Sequence, residues 1–412
     1  MKSQQLQTSI GRAVRTSAWT DAEVGAGIDE LLSSFSDRLP SDLAAHIVIK
    51  PNLNNDLVAL TGNCADLRVL AHICEALQTR GYTRITIADG SNVGVERRGI
   101  DAMRRLRVDK LCERLGVGLV DLNQDAGTQV QLHAGAHPRV ANTVLDADCL
   151  ISVPTLKTHV EMGLSCALKN WVGICTGQDK RHMHYDLGRN IFALGEQVVP
   201  DLIIVDGLVG MEGNGPGDGE PFRLGQLIGS DSMHLCDVVA CRLVGLAVDD
   251  VPYLVHAADA GRIDAALRKQ VADAFSELHR IKPAPARSKL AEISEARSLG
   301  WLKRLVRPLT QRPGVLEAAY KLGVVQDVYD LQDDGVRGIV RNQDLCGECT
   351  KCADFCPTHL PLEDIGVKTE MPDCIGCMYC WWVCPTDAIR LDGPVQGMSR
   401  QIERYKLAIE GL

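Results

Sequence analysis

Along residues 1–260, short β-branched runs alternate with stretches whose apolar positions recur at helical spacing. Residues 45–50 (AHIVIK) form one such run and stop at Pro51. Residues 66–80 then carry Leu67, Leu70, Ile73, Cys74 and Leu77 on one helical face. Gly81 follows, where a helix end favours glycine. Residues 84–89 (RITIAD), 117–122, 149–153 (CLISV, stopped by Pro154) and 201–209 (DLIIVDGLV) read as further strands. Helical spacing covers 103–115, 164–172, 188–198 and 235–246. This alternation predicts an α/β fold: a mostly parallel sheet flanked by helices, with ligands beyond the carboxyl ends of its strands. Three chemically dense loops follow strands: Lys50-Pro51-Asn52, 154–159 and 206–219.

The pattern then changes. Helix formers dominate 261–337 and are punctuated by Pro283, Pro285, Pro308 and Pro313, which predicts a helical connector or lid. Residues 338–395 are rich in Cys and Pro with little periodicity, and 396–412 read as a helix that packs back on the rest. The large unit, 1–260, is the expected substrate domain. A chain of 412 residues fits two to three domains, and 45% hydrophobic with 24% charged residues excludes a largely disordered one. The net charge of −9 argues against a broad nucleic-acid face. No apolar run reaches the roughly 18 residues of a membrane span, and the opening MKSQQLQTSIGRAVRTSAW lacks the apolar core of a signal peptide. The expected location is therefore the cytoplasm. Eight of the 16 cysteines fall between Cys346 and Cys384, and in a reducing compartment such a cluster reads as metal ligands.

Those eight form two copies of C-x2-C-x2-C-x3-C-P, one from Cys346 to Pro357 and one from Cys374 to Pro385. Two-residue gaps let successive thiolates turn around one cubane, and the proline removes a backbone donor and fixes φ. Zinc ribbons use separate pairs of knuckles, a different pattern. The region resembles the bacterial two-cluster ferredoxin family. The resemblance implies that Cys346, Cys349, Cys352 and Cys384 hold one [4Fe–4S] cluster. It implies likewise that Cys374, Cys377, Cys380 and Cys356 hold the other. Trp381 and Trp382, between two ligands, read as shields against water.

Five phrases of the large domain occur in order: IVIKPNL (47–53), VPTLKTH (153–159), GLSCALKNWVGI (163–174), IVDGLVGMEGNGPGDGEP (204–221) and GSDSMHLCDVVACRLVG (229–245). Together they resemble the family called domain of unknown function 362, which is often fused to a two-cluster ferredoxin module. The family usually opens the last helix with Asp-Pro, where Ser232-Met233 stands in this chain.

The loops carry their own chemistry. Lys50, Lys157 and Lys169 sit at or near ends of apolar segments, each beside Asn or His, which predicts a site for a carboxylate or phosphate. Asn52 and Asn170 would add amide hydrogen bonds, and Lys157 and His159 are candidate catalytic groups, His159 as a proton donor. Residues 206–219 hold six glycines in 14 residues, a loop that lets backbone amides approach a ligand. Within it Asp206 and Asn214 are candidate substrate contacts, and Glu212 a catalytic or metal contact. Lys180, Arg181 and His184 are a candidate anion clamp, with His182/His184 as an H-x-H metal pair in the competing reading. Cys64 and Cys175, beside dense loops, are the candidate reactive thiols among the scattered cysteines.

There is no G-x-G-x-x-G, P-loop, H-E-x-x-H or G-x-S-x-G. The expected function is an iron–sulfur oxidoreductase. Electrons from a ferredoxin or flavodoxin would pass through two [4Fe–4S] clusters to an anionic small molecule in the α/β domain. No sequence feature demands a flavin. The competing readings are a non-catalytic electron-transfer subunit, or a non-redox metal enzyme with structural clusters, with lactate-racemase-like nickel enzymes as distant analogues. Direct reduction requires the cysteine module to dock on the carboxyl-end loops.

Overall fold

A computed structural model describes residues 3–284, 331–347, 349–367 and 371–412. Its strands are β1 (Gln4–Thr8), β2 (Gly11–Ser17), β3 (His46–Pro51), β4 (Arg84–Asp89), β5 (Gly118–Asp121), β6 (Gly127–Gln129), β7 (Arg139–Ala141), β8 (Cys149–Val153), β9 (Thr155–His159), β10 (Gly163–Ser165), β11 (Leu202–Glu212), β12 (Glu220–Ser230), β13 (Gly338–Arg341) and β14 (Ile389–Asp392). Ten of them form one sheet, in the order β1-β2-β12-β11-β8-β3-β4-β5, with β9 beside β11 and β10 beside β9. The centre, β11-β8-β3-β4-β5, is parallel, and β12, β2 and β1 continue it antiparallel. Ile47, Val48 and Ile49 in β3 are all fully buried, as expected of a parallel strand covered on both faces.

One face is covered by α1 (Asp21–Ser34) and α2 (Leu67–Thr79). A reciprocal capping box between Thr20 and Glu23 starts α1, and the Asp66 carboxylate accepts from the Arg68 amide at the start of α2. Helix α2 stops before Gly81, whose φ of +97° suits glycine. The inward rows Ile28-Leu31 and Leu70-Ile73-Leu77 pack in one core with Ile47, Ile49 and Ile204. The other face is covered by Leu187–Gln197, Met233–Leu243, Pro252–Asp259 and Ala265–Ala274 around Trp171 and Tyr253. Ser232, standing where the family has Asp-Pro, caps the helix after β12 by accepting from the Leu235 amide.

Three local expectations change. The helix expected over 103–115 is split into Ala102–Arg105 and Val108–Leu115, because Arg107 takes a left-handed φ of +66°. Residues 164–172 divide between the end of β10, the single turn Ala167–Asn170 and a tighter turn from Trp171. Only half of the glycine-rich stretch 206–219 is a loop. Its first part is β11, and only 213–219 form the turn to β12. Gly210 serves close packing there, since a Cβ would lie 2.5 Å from the Phe222 ring.

The start of the expected connector also behaves differently. Leu267, Val271, Phe275 and Ile281 are buried in the same core as the sheet, so the large unit continues past 260. Residues 285–330 of that connector lie outside the described residues. In the module, β13 pairs antiparallel with β14, and Ser399–Glu410 forms the tail helix. Phe355, Met378, Tyr379, Trp382, Tyr405 and Ile409 share one apolar core with α1 and α2.

Candidate functional site

Lys50 at the end of β3, Lys157 in β9, Lys169 in Ala167–Asn170 and Lys180 in the turn Gly177–Tyr185 converge on one cavity of about 450 Å³. Asn52, His159, Asn170, His184 and Asn214 line it as well. The sheet explains the convergence. Parallel β3 and β8 run side by side, and β9 follows β8 after the single residue Pro154, so their carboxyl ends open on the same side.

Lys50 Nζ lies 2.8 Å from Asp89 Oδ1 and donates to both the carbonyl and the side-chain oxygen of Asn170, at 2.8 and 2.7 Å. Lys157 Nζ donates to the Asn63 carbonyl at 2.6 Å, and the Asn52 amide donates to the same oxygen at 2.7 Å. Lys180 donates to Asn123 Oδ1. The Glu161 amide donates to His159 Nδ1 at 3.1 Å, which leaves Nε2 as the protonated nitrogen of the neutral ring.

Lys50, Lys157 and Lys180 are buried and Lys169 is half-buried, and loss of water around them disfavours the charge of all four. Lys157 is pushed down to about 7, with the charges of Lys169 and Lys50 adding to burial. Lys169 and Lys180 fall to about 8, chiefly through burial, and Lys50 is lowered for the same reason. The lining carboxylates are already matched. Asp89 pairs with Lys50, Asp56 with Arg105 at 2.6 Å, and Asp218 with Arg404. Among the described residues Lys157 and Lys169 form no ion pair. The cavity therefore holds uncompensated positive charge in a low-dielectric setting, which an anion would relieve.

Sequence reasoning missed Asp89, Gly90, Asn123 and Gly173. A Cβ on Gly173 would lie 2.5 Å from Lys50 Nζ, and one on Gly90 would lie 2.5 Å from Lys180 Nζ. These glycines make room for ammonium groups. The available signal was the Asp89-Gly90 end of a strand.

Three predicted site residues lie elsewhere. The Glu212 carboxylate is taken by His279 at 2.8 Å and by the Lys282 amide and ammonium at 3.0 and 2.7 Å, away from the cavity. Asp206 accepts from the amides of Asp66 and Leu208 at 2.7 and 3.0 Å. Burial beside Asp66 pushes its carboxyl up to about 7. Arg181 does not line the cavity, although Lys180 and His184 of the same clamp do. The H-x-H pair lies in a tight helical turn instead of a strand, and His182 packs on the His137 ring at 4.4 Å. Cys64 and Cys175 are buried, and burial pushes both thiols up to about 12, so neither is a ready thiolate at neutral pH.

The module brings its thiols together across the two runs. Cys346, Cys349, Cys352 and Cys384 line one small cavity with Arg341. Cys374, Cys377 and Cys380 have thiols pushed up by burial, and the charge of Cys356 acts on each in the same direction. Thiols gathered in this spacing are the donor set that iron–sulfur clusters take, so these residues fit such clusters.

Residues 47–242 match the family described as Domain of unknown function (DUF362), and residues 338–385 match the 4Fe-4S dicluster domain. Residues 47–242 are thus a DUF362 domain, joined in one chain to a 4Fe-4S dicluster domain at residues 338–385. The "Thylakoid-associated protein sll1697" of Synechocystis sp. is 32% identical over 123 residues, 28% of this chain and 38% of that protein. The "Putative electron transport protein YccM" of Escherichia coli (strain K12) is 38% identical over 47 residues, 11% of this chain and 13% of that protein. The chain thus spans less than two thirds of either relative. The lactate racemase apoprotein from Thermoanaerobacterium thermosaccharolyticum superposes with a TM-score of 0.38 at 11% identity, over 58% of this chain and 62% of that one. Among the described residues no helix is long and apolar enough to cross a membrane.

The dicluster module docks on the DUF362 domain through the segment that follows β3. The Leu67 amide donates to the Tyr379 hydroxyl at 3.2 Å, and the Val58 amide to Gln401 Oε1 at 3.1 Å. Arg68 is fully buried between the units. It donates to the Asp66 carboxylate, to the Trp19 carbonyl and, across the seam, to the Asp354 carbonyl at 3.2 Å, with the Phe355 ring 4.2 Å away. The tail helix reaches the 213–219 turn through Arg404 and Asp218. The segment after β3 therefore meets the module, while the 213–219 turn meets the tail helix.

Proposed function

We propose that this chain is an iron–sulfur reductase in which electrons from a ferredoxin or flavodoxin reach an anionic small molecule held by Lys50, Lys157, Lys169 and Lys180. The observation that carries the reading is one cavity that gathers four lysines, three of them buried, of which, among the described residues, Lys50 alone is ion-paired to a carboxylate. Cys346, Cys349, Cys352 and Cys384 would hold one [4Fe–4S] cluster, and Cys356, Cys374, Cys377 and Cys380 a second. Bound clusters of this kind supply one-electron transfer. The electron-transport name of the Escherichia coli relative, which matches in 47 residues, supports the same role.

The protein's own groups would do the rest. Lys50 and Lys169 bind the anionic group, with Asn170, Asn52 and Asn214 as hydrogen-bonding partners. Lys157, held near neutrality, and His159, through Nε2, deliver protons at working pH. Reduction of one double bond takes two electrons and two protons, so two such donors match the need.

The test is reoxidation of dithionite-reduced protein, mixed anaerobically with a panel of unsaturated carboxylates, oxo acids and phosphate esters. One panel member should reoxidise it catalytically, and Lys157→Met with Lys169→Met should abolish that turnover while iron content holds. Identical reoxidation rates in the variants would remove the cavity from the reaction and leave a plain electron carrier.

A further inference from the structure

We infer that Asp21, His72 and His359 form a site for a divalent cation of the zinc class at the seam between the dicluster module and the DUF362 domain. The residues come from three distant places. Asp21 opens α1, His72 lies within α2, and His359 is three residues beyond Cys356. One ligand atom from each lies within 4.8 Å of the others. Asp21 Oδ1 is 2.9 Å from His72 Nε2, and Asp21 Oδ2 is 2.6 Å from His359 Nδ1. Tetrahedral zinc with ligands at about 2.0–2.1 Å sets neighbouring donors about 3.3 Å apart, so the two carboxylate–imidazole contacts need open by only a few tenths of an ångström, with the imidazole nitrogens within 4.8 Å of each other.

The surroundings suit a metal. Glu75 accepts from His359 Nε2 at 3.0 Å, the outer-sphere carboxylate that fixes a ligating imidazole and turns its other nitrogen to the ion. Gly25 lies against the His72 ring, where a Cβ would stand 2.7 Å from Cε1. His359 has a φ of +58°, a left-handed conformation that histidine adopts more readily than most residues. Side-chain exposures of 14%, 16% and 32% for Asp21, His72 and His359 leave room for a water as fourth ligand. Zinc would replace the proton shared between His359 Nδ1 and Asp21. One dication balances two carboxylates, those of Asp21 and Glu75. The donors are nitrogen and oxygen, unlike the thiols of the iron sites, so the two metals need not compete. Bound there, the ion would tie both helices of the DUF362 domain to the loop just after a cluster ligand.

The test is to load the anaerobic, iron-replete full chain with one equivalent of zinc, remove excess, and measure metal content and the zinc X-ray absorption edge. We expect about one zinc per chain, iron unchanged, and a shell of nitrogen and oxygen near 2.0–2.1 Å. His72→Gln and His359→Gln should lose the zinc while retaining iron, which reports an intact module. Glu75→Gln should weaken zinc binding roughly 10–100-fold. Sulfur scattering near 2.3 Å, no retained zinc, or equal zinc in the histidine variants would overturn the site.

Discussion

The Leu67 amide donates to the Tyr379 hydroxyl at 3.2 Å, and four residues upstream the Asn63 carbonyl accepts from Lys157 at 2.6 Å. One short segment thus touches both the anion cavity and the module. Tyr379 stands between Cys377 and Cys380 in sequence, so the segment bridges the proposed cluster ligands and the lysine cavity.

Tyr379→Phe should cost about 1–3 kcal/mol, because it leaves the buried Leu67 amide without its acceptor. Iron content should hold, while protease sensitivity at the seam between the units rises. Melting of the holoprotein and limited proteolysis read the two effects, and unchanged values for both would remove the hydrogen bond from docking.

Arg68→Met should be harsher, at about 3–5 kcal/mol, since it leaves the buried Asp66 carboxylate uncompensated beside Asp206. Asp66→Asn together with Arg68→Met should recover part of that loss. A double variant no better than the single one would show that Arg68 acts by packing on Phe355 alone.

Cys356→Ser should damage the cluster held by Cys374, Cys377 and Cys380 and spare the one beside Cys346, because Cys356 is grouped with the second run and Cys384 with the first. Electron paramagnetic resonance of the reduced variant distinguishes the two sets. Loss of signal from the first set instead would show that each run holds its own cluster.

Much of this was legible in the chain because its signals are local. Residues 84–89 and 149–153 are strands over their expected spans, since β-branched runs bounded by turn residues carry their own limits. Three lysines beside Asn or His did reach one cavity with their neighbours. What failed was non-local. Gly210 looked like part of a loop whose amides approach a ligand but makes way for Phe222 on the paired strand, a contact with no trace in nearby residues. Glu212 looked catalytic among glycines, yet its partners His279 and Lys282 lie about 70 positions away. Asp89 and Gly173 became visible only when β4 and the turn after Asn170 met at Lys50.

Lys157→Met and Lys169→Met should each weaken binding of the anionic substrate by about 2–5 kcal/mol, the typical cost of removing one partner from a buried charged contact. Asn214→Ala, at the rim near the solvent-exposed Asp218, should cost much less. Titration calorimetry with the anion identified by turnover measures all three. Equal losses at Asn214 and Lys157 would argue against a charge-driven site.

The lysines also set a pH dependence whose sign is fixed by their burial. Lys157 falls from an ordinary 10.5 to about 7 in the fold, and Lys169 and Lys180 fall to about 8. Between those values and 10.5 the unfolded chain holds protons that the folded chain lacks, so stability without a bound anion rises with pH. Each lysine contributes a slope of about 1.4 kcal/mol per pH unit within its window. Below about pH 7 both states are protonated and the destabilisation is complete, and above 10.5 it is gone. A bound anion reverses the balance by favouring the ammonium forms, so its affinity should be greatest below pH 7 and decline through pH 8. Melting curves of the holoprotein from pH 6 to 10 should show the rising stability in wild type and a shallower rise in Lys157→Met. A Lys157→Met slope equal to wild type would mean that Lys157 keeps its proton throughout, and its role as a proton donor near neutrality would fall with it.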